Sequence, residues 1–322
     1  AYNHAEKNNL SGNLVGITGG YAGHRHNLIS NNSLWNNVNY GIHSEHGDDN
    51  NTIKGNTVVG SGIHNIILEY INSGAPRDDV VSDNILIGPS DSGITISNSR
   101  DDIPIPIPIS NRMKISGNSI RGCKYGIYLY YSKNNSIINN NISDASIYSV
   151  RVISKSSDNR IYHNSLYKAA LDGSGANFWD NGYPSGGNYW FDYSGTDSFN
   201  GPNQDLPGPD GIGDTPYTSI QGGTGSMDRY PLMTQPNVTS FTIPVVLGWN
   251  LISIPLVPND CSLPNALLDI RENTLWDRVM WYDPADPANL WKQYATFWSP
   301  SLNDLTNVDH RISFWVNITD VG

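Results

Sequence analysis

The sequence predicts an all-β protein: a single-stranded parallel β-helix of about seven to eight coils, followed by a small β-rich C-terminal domain. Three observations point there. The 322 residues include 40 Asn, 31 Gly and 26 Asp against only 4 Glu, and a chain rich in turn and cap formers but poor in helix formers is not all-α. One short phrase (apolar, two residues, Asn, one residue, apolar) returns along the first 190 residues. A second apolar column follows about ten residues after each of those asparagines.

The phrase reads Leu10/Asn13/Val15, Ile29/Asn32/Leu34, Ile53/Asn56/Val58, Val81/Asn84/Leu86, Ile115/Asn118/Ile120, Ile137/Asn140/Ile142 and Ile161/Asn164/Leu166, with Asn188 in a degenerate eighth copy. Successive asparagines stand 19, 24, 28, 34, 22, 24 and 24 residues apart, a period that corresponds to one solenoid coil. Each phrase is short, β-branched and alternating, so strands rather than helices build the coil. Asn32, Asn56, Asn84, Asn118, Asn140 and Asn164 are expected to turn inward at a corner and bond to one another in a structural ladder.

The second column reads Gly41-Ile42, Asn65-Ile66, Gly93-Ile94, Gly126-Ile127 and Ser149-Val150. Alternation sends Ile42, Ser44, Ile66, Leu68, Ile94, Ile96, Ile127, Leu129, Val150 and Val152 inward. Their neighbours face out, with His43, Ile67, Thr95, Tyr128 and Arg151 in one file and Glu45, Glu69, Ser97, Tyr130 and Ile153 in the next. Successive coils lie about 4.8 Å apart. His43, Glu45, Glu69, Tyr128, Tyr130 and Arg151 are therefore candidate carbohydrate-binding residues, offering rings to stack and groups to hydrogen-bond. No catalytic residue is assigned. Glu45 and Glu69 are the fallback pair, since glycoside hydrolysis needs two carboxylates about 5–9.5 Å apart.

The Asn-ladder phrase with its Gly-Ile second strand is closed by Gly187-Asn188-Tyr189-Trp190-Phe191-Asp192-Tyr193, Asp210-Gly211-Ile212-Gly213-Asp214-Thr215-Pro216-Tyr217 and Asp228-Arg229-Tyr230-Pro231-Leu232. Together these resemble the NosD-like right-handed β-helix repeats, also grouped as carbohydrate-binding and sugar-hydrolase (CASH) domains. The resemblance covers roughly residues 1–233. It implies a right-handed coil in a secreted or surface protein, notably of archaea. The family holds polysaccharide-active enzymes, a protein linked to copper delivery and many surface proteins of unknown activity, so it speaks to fold and compartment more than to chemistry.

After about residue 183 the composition shifts, with 14 of the 19 prolines and 7 of the 9 tryptophans beyond it. The expected domains are a β-helix over residues 1–186, a Gly/Asp/Pro-rich cap and linker over 187–235, and a β-rich module over 236–322. In that last module strands are expected around Val245–Pro255, Val279–Tyr282, Leu290–Tyr294 and Ile312–Ile318. A short helix capped by Ser262 carries Leu267, Leu268 and Ile270 on one face. The insertion Ile103-Pro104-Ile105-Pro106-Ile107-Pro108-Ile109 cannot donate to a ladder at its prolines; it is either a flap on its own coil or an arm for self-association.

Two side-chain groups suit metal ions. His24, His43 and His46 are conceivable copper or zinc ligands, set against ordinary surface histidines. Asp205, Asp210 and Asp214 lie in a turn whose hard oxygens suit calcium, set against an ion-free capped turn; the EF-hand spacing is not met. The net charge of −11 leaves no basic surface for nucleic acid. No apolar run is long enough to span a membrane. Cys123 and Cys261 read as two buried thiols.

These observations favour a non-catalytic extracellular or cell-surface scaffold or adhesin whose outer strand face takes a carbohydrate, with extracellular polysaccharide or other surface proteins as partners. The alternatives are a polysaccharide lyase, epimerase or glycoside hydrolase, and a subunit of a sheath or filament joined through Ile103–Ile109.

Overall fold

The computed structural model describes residues 3–19, 26–45, 50–69, 78–97, 109–110, 112–223, 225–236, 246–253, 263, 267, 274–308 and 312–321. Their strands form three parallel sheets of seven, eight and eight strands, wound as a right-handed β-helix. Each coil gives one strand to each sheet: Lys114–Ser116 to the first, Ser119–Arg121 to the second and the longer Tyr125–Tyr130 to the third.

The corner between the first two strands explains the repeating phrase. Asn31, Gly55, Asp83, Gly117, Asn139 and His163 each take φ between 54° and 66° there, a left-handed turn that favours Gly, Asn and Asp. The next residue is the inward asparagine. On either side of it the apolar residues stack in files, Ile53, Val81, Ile115, Ile137 and Ile161 before the corner and Val58, Leu86, Ile120, Ile142 and Leu166 after it, all at or below 1% exposure. Burying each such side chain stabilises the coil by about 1.5–3 kcal/mol.

The asparagines form a polar column. Asn32, Asn56, Asn84, Asn118, Asn140 and Asn164 each donate backbone N–H and Nδ2–H to Oδ1 of the next, at 2.9–3.1 Å. The register of the first copy differs from the sequence reading. Leu10 pairs with Leu34, so the residue stacked against Asn32 is Asn8, which gives it both hydrogen bonds at 2.9 Å. Asn13 instead donates to Asn37, at 3.2 Å. Asparagines recur five residues apart at successive corners, so the phrase matches equally well one corner late.

Two compact units divide the chain, Ala1–Thr239 and Ser240–Gly322. The second carries a four-stranded antiparallel sheet in the order Gly248–Ser253, Ser313–Val321, Thr274–Tyr282, Trp291–Ala295, over its own core of Ile252, Val279, Phe314, Val316 and Ile318. The expected helix from Ser262 lies outside the described residues, except for the buried Leu263 and Leu267. Among the described residues there is no α-helix, and no helix is long and apolar enough to cross a membrane. Residues 103–108 of the Ile-Pro insertion also lie outside the described set; Ile109–Ser110 pairs in parallel with Ser132–Lys133. Cys261 lies outside it too, and Cys123 is a buried free thiol.

Candidate functional site

The third sheet has the longest strands, six residues in each of four successive coils from His64–Glu69 to Tyr148–Ile153, and so presents the widest outer face. Parallel register stacks His43, Ile67, Thr95, Tyr128 and Arg151 in one file, and Glu45, Glu69, Ser97, Tyr130 and Ile153 in the next. The side chain of Glu45 lies outside the described set. A further file, Tyr40, His64, Ser92, Tyr125 and Tyr148, runs along the corner edge of the same sheet.

One end of this face is a hydrogen-bonded polar cluster. His43 donates from Nε2 to Glu69 Oε2 at 3.2 Å, and the Tyr40 ring sits 4.7 Å from the His43 ring and stacks on His64 at 5.8 Å and 4°. His64 Nδ1 meets Ser92 Oγ at 2.8 Å and Thr95 Oγ1 at 3.3 Å, while Ser92 and Thr95 also bond through their hydroxyls. His43 and Thr95 are buried although their file faces outward. Burial lowers the His64 pKa to about 4 against the pull of Asp91 and Glu69, so this imidazole is neutral at ordinary pH.

The other end is aromatic. Tyr125 and Tyr148 stack from adjacent coils at 6.3 Å and 13°. Tyr128 lies 5.8 Å from Tyr125 and 6.1 Å from Tyr130, and Tyr131 meets Tyr130 edge-on at 4.7 Å. The Arg151 guanidinium lies over two of these rings, 4.7 Å from Tyr125 and 4.8 Å from Tyr128, a cation–π arrangement that fixes their orientation. Burial raises the Tyr128 phenol although Arg151 acts the other way.

The six residues singled out on this face fall into two groups, His43 with Glu69 and Tyr128 with Tyr130 and Arg151, with Glu45 paired in register to Glu69. Sequence reasoning missed Tyr40, His64, Tyr125 and Tyr148. Strict alternation puts Tyr125 on the side of Ile127, yet it opens its strand at the corner, where alternation has not set in. The usable signal is an aromatic or histidine residue two positions before Ile42, Ile66, Ile127 and Val150, with Ser92 in that place before Ile94.

A second ladder was also missed. Asn3, Asn27 and Asn51 bond in series and lead to Asp79, and Asn135, Asn159 and Asn177 continue at the same corner. Both columns end on buried carboxyl groups, Asp172 in the last coils of the third sheet and Asp228 in the cap. Asn177 Nδ2 and Trp179 Nε1 donate to Asp172, at 2.9 and 3.1 Å. Asn188 N and Trp190 Nε1 donate to Asp228, at 2.6 and 2.9 Å. A column that donates in one direction needs an acceptor at its end, and a carboxyl oxygen is one. Burial works against ionisation of Asp172, but donors from Trp179, Asn177, Gly175 and Ser174 outweigh it and hold its pKa low. At Asp228 burial wins and raises it to about 7.

The Asp-rich turn is internally bonded. Asp214 accepts from Ser198 N, Phe199 N and Thr196 Oγ1, and Asp210 from Ile212 N and Gln204 Nε2; Asp205 joins neither set. Among the described residues no three His, Cys, Asp or Glu side chains group so as to hold a metal ion. His24 and His46 lie outside the described set.

Comparison with known proteins gives one family. The model described as periplasmic copper-binding protein (NosD) matches residues 1–105 and 71–195. No curated protein and no solved structure matches the chain. Copper needs converging imidazole, thiolate or thioether ligands. The described histidines of the outer face bond instead to Glu69, Ser92 and Thr95, and burial raises the Cys123 thiol to about 11, so these residues do not fit a copper centre.

Proposed function

This chain belongs to the NosD family, and from that premise we propose that it is a non-catalytic periplasmic or cell-surface scaffold that binds an extended polysaccharide along the outer face of its third sheet. The observation that carries this reading is the Tyr125–Tyr148 stack with Tyr128, Tyr130 and Arg151 beside it. Pyranose C–H faces lie well against such rings, and a platform already packed in the free protein loses little side-chain entropy on binding. Rings from adjacent coils extend the platform along the solenoid, which suits a linear polymer better than a single sugar.

Affinity electrophoresis against a panel of neutral and uronate polysaccharides tests it. At least one polymer is expected to retard the protein, and Tyr128→Ala or Tyr125→Ala to weaken that binding about tenfold, the order of one stacking contact. No retardation by any polymer, or full retention in both variants, would sink the reading.

A second reading is favoured by the His43–Glu69 hydrogen bond, in which a carboxylate orients an imidazole as in general-base catalysis. Under that reading the chain is a lyase, epimerase or hydrolase. Unsaturated ends absorbing in the ultraviolet, or reducing sugar released from a uronate polymer, would support it if Glu69→Gln or Glu45→Gln removed the activity.

A further inference from the structure

The acidic charge of the chain is unevenly placed. Residues 112–170, which include the strands Tyr125–Tyr130 and Tyr148–Ile153, hold 9 of the 19 Lys and Arg but only 2 of the 30 Asp and Glu. That segment has a net charge of +7, and the rest of the chain −18. Five of its cations border the tyrosine platform. Arg151 lies over Tyr125 and Tyr128. At the corner edge the Lys124 ammonium is 5.4 Å from the Tyr125 ring and its carbonyl accepts from Tyr148 N, while Lys168 donates its backbone N–H to Ser149 Oγ, beside Tyr148. At the opposite edge Lys133 follows Tyr130 and Tyr131, and pairs with Ser157, two residues beyond Lys155. Lys155 and Lys168 are exposed, and Lys133 and Arg151 are half-buried. Among the described residues none of these four makes an ion pair with a carboxylate; Lys124 does, with Asp91 at 3.8 Å. The far end of the same face carries Glu69.

We propose that the polymer taken by this platform is an acidic polysaccharide that carries carboxylates along its length. The proposal rests on the reading of the tyrosine platform as a glycan-binding face and names its substrate class. Sugar rings lie on Tyr125, Tyr128 and Tyr148, with their carboxylates reaching Arg151 between the rings and the lysines on both edges. An arginine fork matches the two oxygens of a carboxylate. Lys133 and Lys155 stand on successive coils, whose repeat is about 4.8 Å, so the positive charge is spread along the solenoid and meets charge spread along a polymer. Unpaired like charges held together repel one another, and a polyanion relieves that repulsion. Glu69 repels the same polymer, which confines it to the aromatic end.

Affinity electrophoresis of the full chain tests this in gels holding polygalacturonate or polymannuronate, each beside its carboxyl-reduced, neutral form, with mobility read against a polymer-free gel. At least one polyuronate is expected to retard the protein. Its neutral form is expected to bind at least about tenfold more weakly. Lys133→Gln, Lys155→Gln and Lys168→Gln combined leave every ring and Arg151 in place; with an unchanged circular-dichroism spectrum, this variant is expected to lose about tenfold in affinity for the polyuronate. The wild-type affinity is also expected to fall as salt shortens the screening length from about 10 Å at 0.1 M to about 3 Å at 1 M. Equal retardation by the neutral form, or full retention in the triple variant, overturns the proposal and leaves the platform reading standing. Retardation as strong by dextran sulfate or by oligothymidylate also overturns it, since the site would then take any polyanion. Retardation by no polysaccharide, acidic or neutral, removes the platform reading as well.

Discussion

At the residue scale, one amide serves several backbone groups at once. Asn118 accepts from Asn84 N and Nδ2 and donates to Val81 O and Asn140 Oδ1, all at 2.9–3.0 Å and out of water. Asn118→Ala leaves those partners unsatisfied and is expected to cost about 3 kcal/mol, read as a lower urea midpoint at unchanged slope. Two titratable residues set opposing pH dependences. Asp228 rises from 3.8 to about 7, so between those values the fold keeps a proton that the unfolded chain has lost. Its contribution is full below about pH 4 and is lost as pH rises through 7. His64 falls from 6.5 to about 4; its contribution is present above 6.5 and lost as pH falls through 4. Wild-type stability is therefore expected to vary little across this window. Asp228→Asn makes stability rise with pH, and His64→Gln makes it fall, which urea midpoints at about pH 4.5 and about pH 7 resolve.

At the element scale, tight corners and close coil spacing restrict particular positions. A Cβ at Gly126 would lie 2.3 Å from Ile142 Cγ2 and 2.5 Å from Ser149 O, so Gly126→Ala requires the backbone of the next coil to shift and is expected to lower stability by about 2 kcal/mol in thermal melts. The cap loop holds its carboxylates by a different device, since Asp210 and Asp214 already accept backbone N–H groups. Chelation with EDTA is accordingly expected to leave the melting temperature and the glycan retardation unchanged; a drop that calcium restores would assign the turn an ion. The repeat was legible because each corner requires a left-handed residue followed by an inward amide. The second ladder was equally legible, as an Asn or Asp five residues before Asn32, Asn56, Asn84, Asn140 and Asn164. Because asparagines stand five residues apart at successive corners, the phrase by itself does not tell one corner from the next, and its first copy fits Asn13 as well as Asn8.

At the scale of the whole molecule, the two units hold separate apolar cores. A chain ending at residue 236 is expected to keep the β-helix melting transition within a few degrees, checked by circular dichroism; its loss would mean that the second unit supports the first. The sequence by itself determined the winding: β-branched phrases at near-constant spacing admit a stacked coil, because only stacking buries their apolar positions and pairs their amides. Which side chains share the outer face was partly determined with it, since His43, Glu69, Tyr128 and Arg151 follow from alternation. Tertiary structure alone decided that Tyr125 and Tyr148 join them at the corner edge, that Arg151 covers two rings, and that Asp172 and Asp228 end the ladders. The contacts of Tyr148, Arg151 and Asp228 depend on coil length and cap path, which bring together residues 23 to 40 positions apart, whereas Asp172 meets Asn177 and Trp179 five and seven residues on, through the path of the turn between them.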